Sequence, residues 1–148
     1  MLKKIIDNPC AEVIDISDEV PFTILGNWKG YWMWNDQTIS EDILNILMPY
    51  IRENHIKVCI STHHNLEGVD TDYMDWITNT ALPHFMKNGL FVEILIDSEH
   101  FIGNLSLELM YEDIVLQSED GNKFITPKVD TIEAGKMLAL KIIDGQKM

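Results

Sequence analysis

Apolar and polar residues alternate in short runs at the start of the chain and then fall twice into helical spacing. Ala11-Glu12-Val13-Ile14-Asp15-Ile16 reads as a strand, Asp18-Glu19 as a turn, and residues 22–28 as a second strand antiparallel to the first. Gly30 punctuates its end. Thr38-Ile39-Ser40-Glu41 has the form of a capping box, and Ile39, Ile43, Ile46, Leu47 and Tyr50 follow at helical spacing. Pro49 lacks the N–H that an inner helical position needs, so a kink or a split last turn is expected there. Lys57-Val58-Cys59-Ile60-Ser61 reads as a short buried strand, and residues 63–68 as a polar loop.

A second helix begins at Asp70 or Thr71, either of which can cap it, with Asp72 at the positive end of its dipole. Tyr73, Ile77, Ala81 and Phe85 make its apolar stripe. Pro83 again predicts a bend, and Asn88-Gly89 supplies a C-terminal cap. Phe91-Val92-Glu93-Ile94-Leu95-Ile96-Asp97 is the clearest strand. A short helix over 105–111, a turn at Glu119-Asp120-Gly121-Asn122 and a last strand at Lys123-Phe124-Ile125-Thr126 follow. Asp130-Thr131-Ile132-Glu133 resembles a second cap, opening a helix whose buried side carries Ile132, Gly135, Ala139 and Ile142.

The resulting order, ββαβαβ(α)βα, predicts an α/β fold. A single mixed sheet of about five strands, an N-terminal antiparallel hairpin followed by parallel βα units, is packed with helices. Nothing in the sequence divides residues 1–148 into two units, and no low-complexity stretch or internal repeat stands out.

Composition narrows the partners. The formal net charge of −13 repels phosphate backbones and anionic head groups, so neither nucleic acid nor a membrane surface is expected as a partner. The start, Met1-Leu2-Lys3-Lys4-Ile5-Ile6-Asp7, has a basic pair without the sustained apolar run of a signal peptide, and no stretch is long enough to span a bilayer. Cys10 and Cys59 lie in apolar runs and make no disulfide framework. A cytoplasmic setting is the expectation.

One stretch stands apart. Gly26-Asn27-Trp28-Lys29-Gly30-Tyr31-Trp32-Met33-Trp34 holds three of the four tryptophans. Aromatics this large either pin a core or line a contact surface. Trp28 is expected to face the core. Trp32 and Trp34 share a parity, so in extended chain they point the same way.

The landmarks Trp28-Lys29-Gly30, Asp75-Trp76-Ile77, Leu82-Pro83, Asn88-Gly89-Leu90, Glu93-Ile94-Leu95-Ile96 and Ile132-Glu133-Ala134-Gly135 together resemble the STAS/SpoIIAA-like family, in particular its small STAS/SEC14-like members. The resemblance implies a four- or five-stranded mixed sheet with helices packed on it, often in a dimer. Better-known members antagonise anti-sigma factors through a phosphorylated serine at a helix start. Here Ser61-Thr62-His63-His64-Asn65-Leu66-Glu67-Gly68 stands in place of that motif, and no phosphorylation site is carried over.

Candidate chemistry is sparse. His63, His64, Glu67, Asp70 and Asp72 are metal-type ligands at no standard spacing, so a metal-dependent hydrolase is the weakest expectation and no metal is assigned. No phosphate loop, nucleophile elbow or Cys–His signature occurs, which leaves catalytic residues and cofactors unassigned. The expectation is a non-enzymatic interaction or regulatory module, as a homodimer or with another protein, using Trp28, Tyr31, Trp32, Trp34, Trp76 and Phe85. The alternative is a small-ligand or lipid-binding domain, its apolar pocket lined by the same aromatics beside the bent second helix.

Overall fold

The computed structural model describes residues 3–97 and 124–145. Strands β1 (Lys3–Asn8), β2 (Ala11–Asp15) and β3 (Thr23–Trp28) form an antiparallel meander. A short strand β4 (Gly30–Trp32) leads to helix α1, residues 38–53. Strand β5 (Val58–Thr62) pairs parallel to β3, strand β6 (Leu66–Val69) pairs parallel to β4, and helix α2 spans 71–87. Strand β7 (Val92–Ile96) pairs parallel to β5, and helix α3 is Ile132–Gly145. Among the described residues the main sheet therefore has five strands in the order β1-β2-β3-β5-β7.

Alternation along the strands sends side chains to two apolar layers. Ile24, Trp28 and Cys59 pack with α1 and α2 on one face, whereas Val58, Ile60, Val92, Ile94 and Ile96 pack with α3 on the other. Helix α3 comes close because its contact residues are small: a Cβ at Gly135 would lie 3.1 Å from the Ile60 methyl. Thr131 caps it, its hydroxyl accepting from the Ala134 amide at 3.1 Å.

The two prolines do not break their helices. Helix α1 runs as Thr38–Asp42, a π segment Ile43–Leu47, and Met48–Glu53. Helix α2 runs as Thr71–Trp76, a π segment Ile77–Ala81, and Leu82–Lys87. Pro49 and Pro83 each fall two residues beyond a π segment. The wider turn relieves the clash between a proline ring and the carbonyl four residues back. It also explains the core stripes. Ile39, Ile43, Leu47 and Ile51 are buried at strict spacings of four, as are Tyr73, Ile77, Ala81 and Phe85. A plain α-helix would rotate such a stripe by about 40° at each step.

Several expectations need correction. The capping box at Thr38 does not form: Gln37 is the N-cap without a side-chain bond, and the Thr38 hydroxyl donates to Asp36 instead. Ile46 is exposed, the stripe passing through Leu47. Ile143 takes the buried place expected of Ile142, which is half-buried. The loop expected at 63–68 contains part of β6, and β1 adds a strand that alternation did not reveal. The expected last strand reduces to isolated parallel bridges, Val92 with Ile125 and Leu95 with Lys128. The helix expected at 105–111 and the turn at 119–122 lie outside the described residues.

An internal repeat is present after all. Residues 43–60 and 77–94 share six identities: Ile43/Ile77, Asn45/Asn79, Pro49/Pro83, Asn54/Asn88, Val58/Val92 and Ile60/Ile94. The backbone repeats with the same offset. The Ile56 amide donates to the Ile51 carbonyl as Leu90 donates to Phe85, and the Asn54 and Asn88 side chains both donate four residues back, to Tyr50 and His84. His55 and Gly89, the equivalent turn residues, both have positive φ, 56° and 108°.

Candidate functional site

The face of the sheet beneath α1 and α2 has a hole in its apolar cover. Gly26 on β3 has no side chain, and the Trp28 indole folds back into that space. A Cβ at Gly26 would stand 2.7 Å from the ring. The fold-back brings the indole N–H over the neighbouring strand, where it donates to the Ser61 hydroxyl at 2.9 Å. Ser61 in turn donates to the Glu93 carboxylate at 2.6 Å. An indole nitrogen can only donate, so the single serine proton is directed onto Glu93. The relay Trp28–Ser61–Glu93 thus points its donors toward one buried carboxyl group. Glu93 is only 8% exposed, a costly place for a carboxylate without such bonds.

Above this relay lies a cavity of about 50 Å³. Trp28, His63 and Glu93 line its sheet side. Ile43 of α1 and Ile77, Ala81, Leu82 and Phe85 of α2 line the helical side, and Trp32, Leu66 and Val69 one end. Both π segments contribute: Ile43 begins one, and Ile77 and Ala81 bound the other. A smaller cavity of about 20 Å³ shares Trp28, Leu82, Phe85 and Glu93 and extends toward Cys59 and Leu47.

His63 is buried at the end of β5, with Nδ1 2.9 Å from the Ile96 carbonyl. A carbonyl only accepts, so Nδ1 carries the proton and Nε2 is an acceptor. Removal from water pushes the His63 pKa down to about 4, against smaller pulls from the Ile96 carbonyl and the Asp97 carboxylate. At neutral pH the ring is uncharged. Between its unfolded pKa near 6.5 and about 4, the unfolded chain takes up a proton that the folded chain refuses. This contribution to stability is therefore complete above about pH 6.5 and is lost on acidification, by roughly 3 kcal/mol in all. Urea unfolding of wild type and of His63→Gln from pH 7.5 to 4.5 should show a shallower loss in the variant. Parallel curves would refute the assignment.

Cys59 lies beside the relay, its sulfur 3.4 Å from the Ser61 hydroxyl. Burial, and then the charge on Glu93, push its thiol far above the usual range. Burial also raises the Cys10 thiol, but that residue is half-buried. An aromatic disulfide reagent should therefore modify Cys10 first and reach Cys59 only at the rate of global unfolding. Equal rates at both positions would contradict this.

The six aromatics singled out from the sequence separate into three groups. Trp28, Trp32 and Phe85 are buried and line the cavity. Trp34 and Trp76 are half-buried, their ring centroids 6.2 Å apart, and both meet Tyr73 edge-on, at 5.0 and 6.1 Å. Tyr31 is exposed. Trp32 and Trp34 do not share one strand face, since β4 ends at Trp32, but both reach Tyr73. Sequence reasoning missed Tyr73 as the hub, and it missed Ser61, His63 and Glu93 as the polar members of the cavity. The only signal for Glu93 was a charged residue inside an otherwise apolar strand.

The metal-type residues do not gather. Asp70 caps α2 by accepting from the Tyr73 amide at 2.9 Å and also accepts from the Trp34 amide at 2.7 Å. His64, Glu67 and Asp72 are exposed, whereas His63 lines the cavity. Among the described residues no group of three or more His, Cys, Asp or Glu is placed to hold a metal ion. Among them, too, no helix is long and apolar enough to cross a membrane. Compared with known proteins, the chain matches no family model, no curated protein and no solved structure.

Proposed function

We propose that this chain is a non-enzymatic regulatory module that binds part of a small ligand in the cavity between β3, β5, β7 and helix α2. The observation that carries the reading is an apolar cavity whose described lining includes the polar side chains of Glu93 and His63. Binding sites have this character: apolar lining with a few placed polar groups. Paired π segments at the cavity support it further, because such segments recur at functional sites.

The non-catalytic part of the proposal rests on the state of each candidate nucleophile. The Ser61 hydroxyl is engaged by Trp28 and Glu93, and the Cys59 thiol is held protonated. Cytoplasmic residence is proposed with it, supported by two unpaired cysteines. A STAS/SpoIIAA-like relationship is likewise a proposal, supported by the hairpin-led mixed sheet and the parallel βα units.

The size of the cavity disfavours a whole lipid chain. Each water-sized position needs about 10–15 Å³ of such space, so about 50 Å³ takes only a few non-hydrogen atoms. Native mass spectrometry of the freshly purified chain, with tryptophan fluorescence titrations of small amphiphiles, tests the reading. A co-purified small molecule, or saturable fluorescence changes lost in Phe85→Trp, which fills the site, is the expected result. No saturable response to any of them would reject it.

A second reading is favoured by Tyr31 and Met33, which are 49% and 48% exposed beside the half-buried Trp34. Here the same segment docks a second copy of the chain, or another protein, through its outer side. Sedimentation velocity should then show a species heavier than one chain that dissociates in the Tyr31→Ala, Met33→Ala double variant. A monomer in both samples would remove a homodimer from consideration.

A further inference from the structure

We infer that the cavity receives a ligand hydroxyl, which donates its proton to His63 Nε2. The inference rests on the pocket reading above and names the group by which the ligand is held.

Ring nitrogens on the described wall come from Trp28, Trp32 and His63. Those that carry protons have already spent them within the protein. Trp28 donates to the Ser61 hydroxyl at 2.9 Å, Trp32 to the Lys29 carbonyl at 3.1 Å, and His63 Nδ1 to the Ile96 carbonyl at 2.9 Å. His63 Nε2 is left with a lone pair, and no described residue donates to it. The ring is also pinned. The His63 backbone amide donates to the same Ile96 carbonyl at 3.0 Å, so one oxygen fixes both the strand end and the imidazole before any ligand arrives.

The unused lone pair faces open space. Among the described residues, Asn27 Oδ1 and Thr62 Oγ1 are the side-chain atoms sealed away without a partner. Nε2 is not sealed in that way, although His63 is only 3% exposed. The space beside it is the cavity that the residue lines. Strand alternation agrees. His63 follows Cys59 and Ser61 at intervals of two, so it leaves β5 on the side of α1 and α2, where the cavity lies.

This arrangement selects for a hydroxyl. Nε2 offers one lone pair, and a hydroxyl brings one proton. Burial keeps the ring uncharged at neutral pH, so the lone pair is available there. A ligand without a donor would strip water from Nε2 and leave it unpaired, and sites built around a hydroxyl discriminate strongly against such analogues. Ile43, Leu66, Val69, Ile77 and Leu82 receive the carbon atoms beside the hydroxyl. The volume takes only a few atoms, which suits a short alcohol or the hydroxyl end of a larger molecule.

The test uses the full chain at neutral pH with isopropanol and acetone, which share one skeleton of carbon and oxygen and differ in that only the alcohol donates. Shifts of the Trp28 and Trp32 indole N–H signals measure affinity, and nitrogen NMR of the labelled histidines reads Nε2 directly. Isopropanol should bind about tenfold tighter than acetone. Its titration should move the Nε2 resonance upfield along the same saturation curve, while Nδ1 keeps its proton. In His63→Phe, which keeps a ring but has no lone pair, the advantage of the alcohol should vanish while acetone binding persists. Should that variant fail to fold, the wild-type pair and the Nε2 resonance decide alone.

Equal affinity for the two probes, tighter binding of acetone, or an Nε2 resonance that stays in place at saturation overturns the inference. Each of these leaves the pocket reading standing with a different mode of recognition. No saturable response to either probe removes both.

Discussion

Tyr73→Ala is expected to destabilise the chain by about 3–5 kcal/mol, as truncation of other large buried aromatics does. Among the described residues Tyr73 is the largest fully buried side chain, and it joins elements that are distant in sequence. Its ring meets Trp32 at 5.8 Å, Trp34 at 5.0 Å and Trp76 at 6.1 Å. Its hydroxyl donates to the Asp36 carbonyl at 2.7 Å, tying α2 to the turn before α1. Tyr73→Phe separates these roles. It keeps the ring contacts but leaves the Asp36 carbonyl without that donor, at about 1–2 kcal/mol. Urea denaturation of the three proteins, with constant slope, measures both values. A domain of this size commonly has only 5–15 kcal/mol to lose, so the alanine variant should be partly unfolded at 37 °C. An alanine value no larger than the phenylalanine value would show that the ring cluster adds nothing to stability.

Trp28→Ala should cost a similar amount, about 3–5 kcal/mol, but by a different route. The indole lines both cavities, so its removal joins two voids that the remaining side chains are too few to fill. It also removes the donor behind Ser61. Trp28→Phe preserves much of the apolar volume and loses the N–H, with an expected cost of about 1–2 kcal/mol. A double-mutant cycle with Ser61→Ala isolates the hydrogen bond: the coupling should be positive and absent between Trp28 and a distant site such as Ala139. Additive losses at Trp28 and Ser61 would show the relay to be geometrically present and energetically idle.

The helical half of the molecule was legible because its signals are local. Asp70 caps α2, Gly89 ends it, and the core stripe Tyr73, Ile77, Ala81, Phe85 follows from spacing alone. The strict fours of that stripe, and of Ile39, Ile43, Leu47 and Ile51, already contain the π segments; reading Pro49 as a kink or a split last turn and Pro83 as a bend left them unseen. The hairpin and the parallel strands were legible for the same reason, as runs bounded by turn residues. Strands β4 and β6 were not. Each is only three or four residues long and exists because the other lies beside it.

The site was half visible. Trp28, Trp32 and Phe85 stood out as large aromatics, but Ser61 and Glu93 are 32 residues apart and meet only through the parallel pairing of β5 with β7. No periodicity in one strand reports a hydrogen bond to the next. The capping box at Thr38 failed for a related reason. Asp36, two residues upstream, competes for the threonine hydroxyl and amide and sets a turn in their place.

The 34-residue recurrence bears on how the chain assembles. In the parallel half of the sheet, partners lie 35 residues apart between β3 and β5 and 34 apart between β5 and β7. Closing either crossover therefore carries nearly the same entropic penalty, because that penalty grows only with the logarithm of the loop. Neither unit has a head start from topology. The order in which they dock is left to side chains, and β5, shared by both, is the strand on which either path must begin.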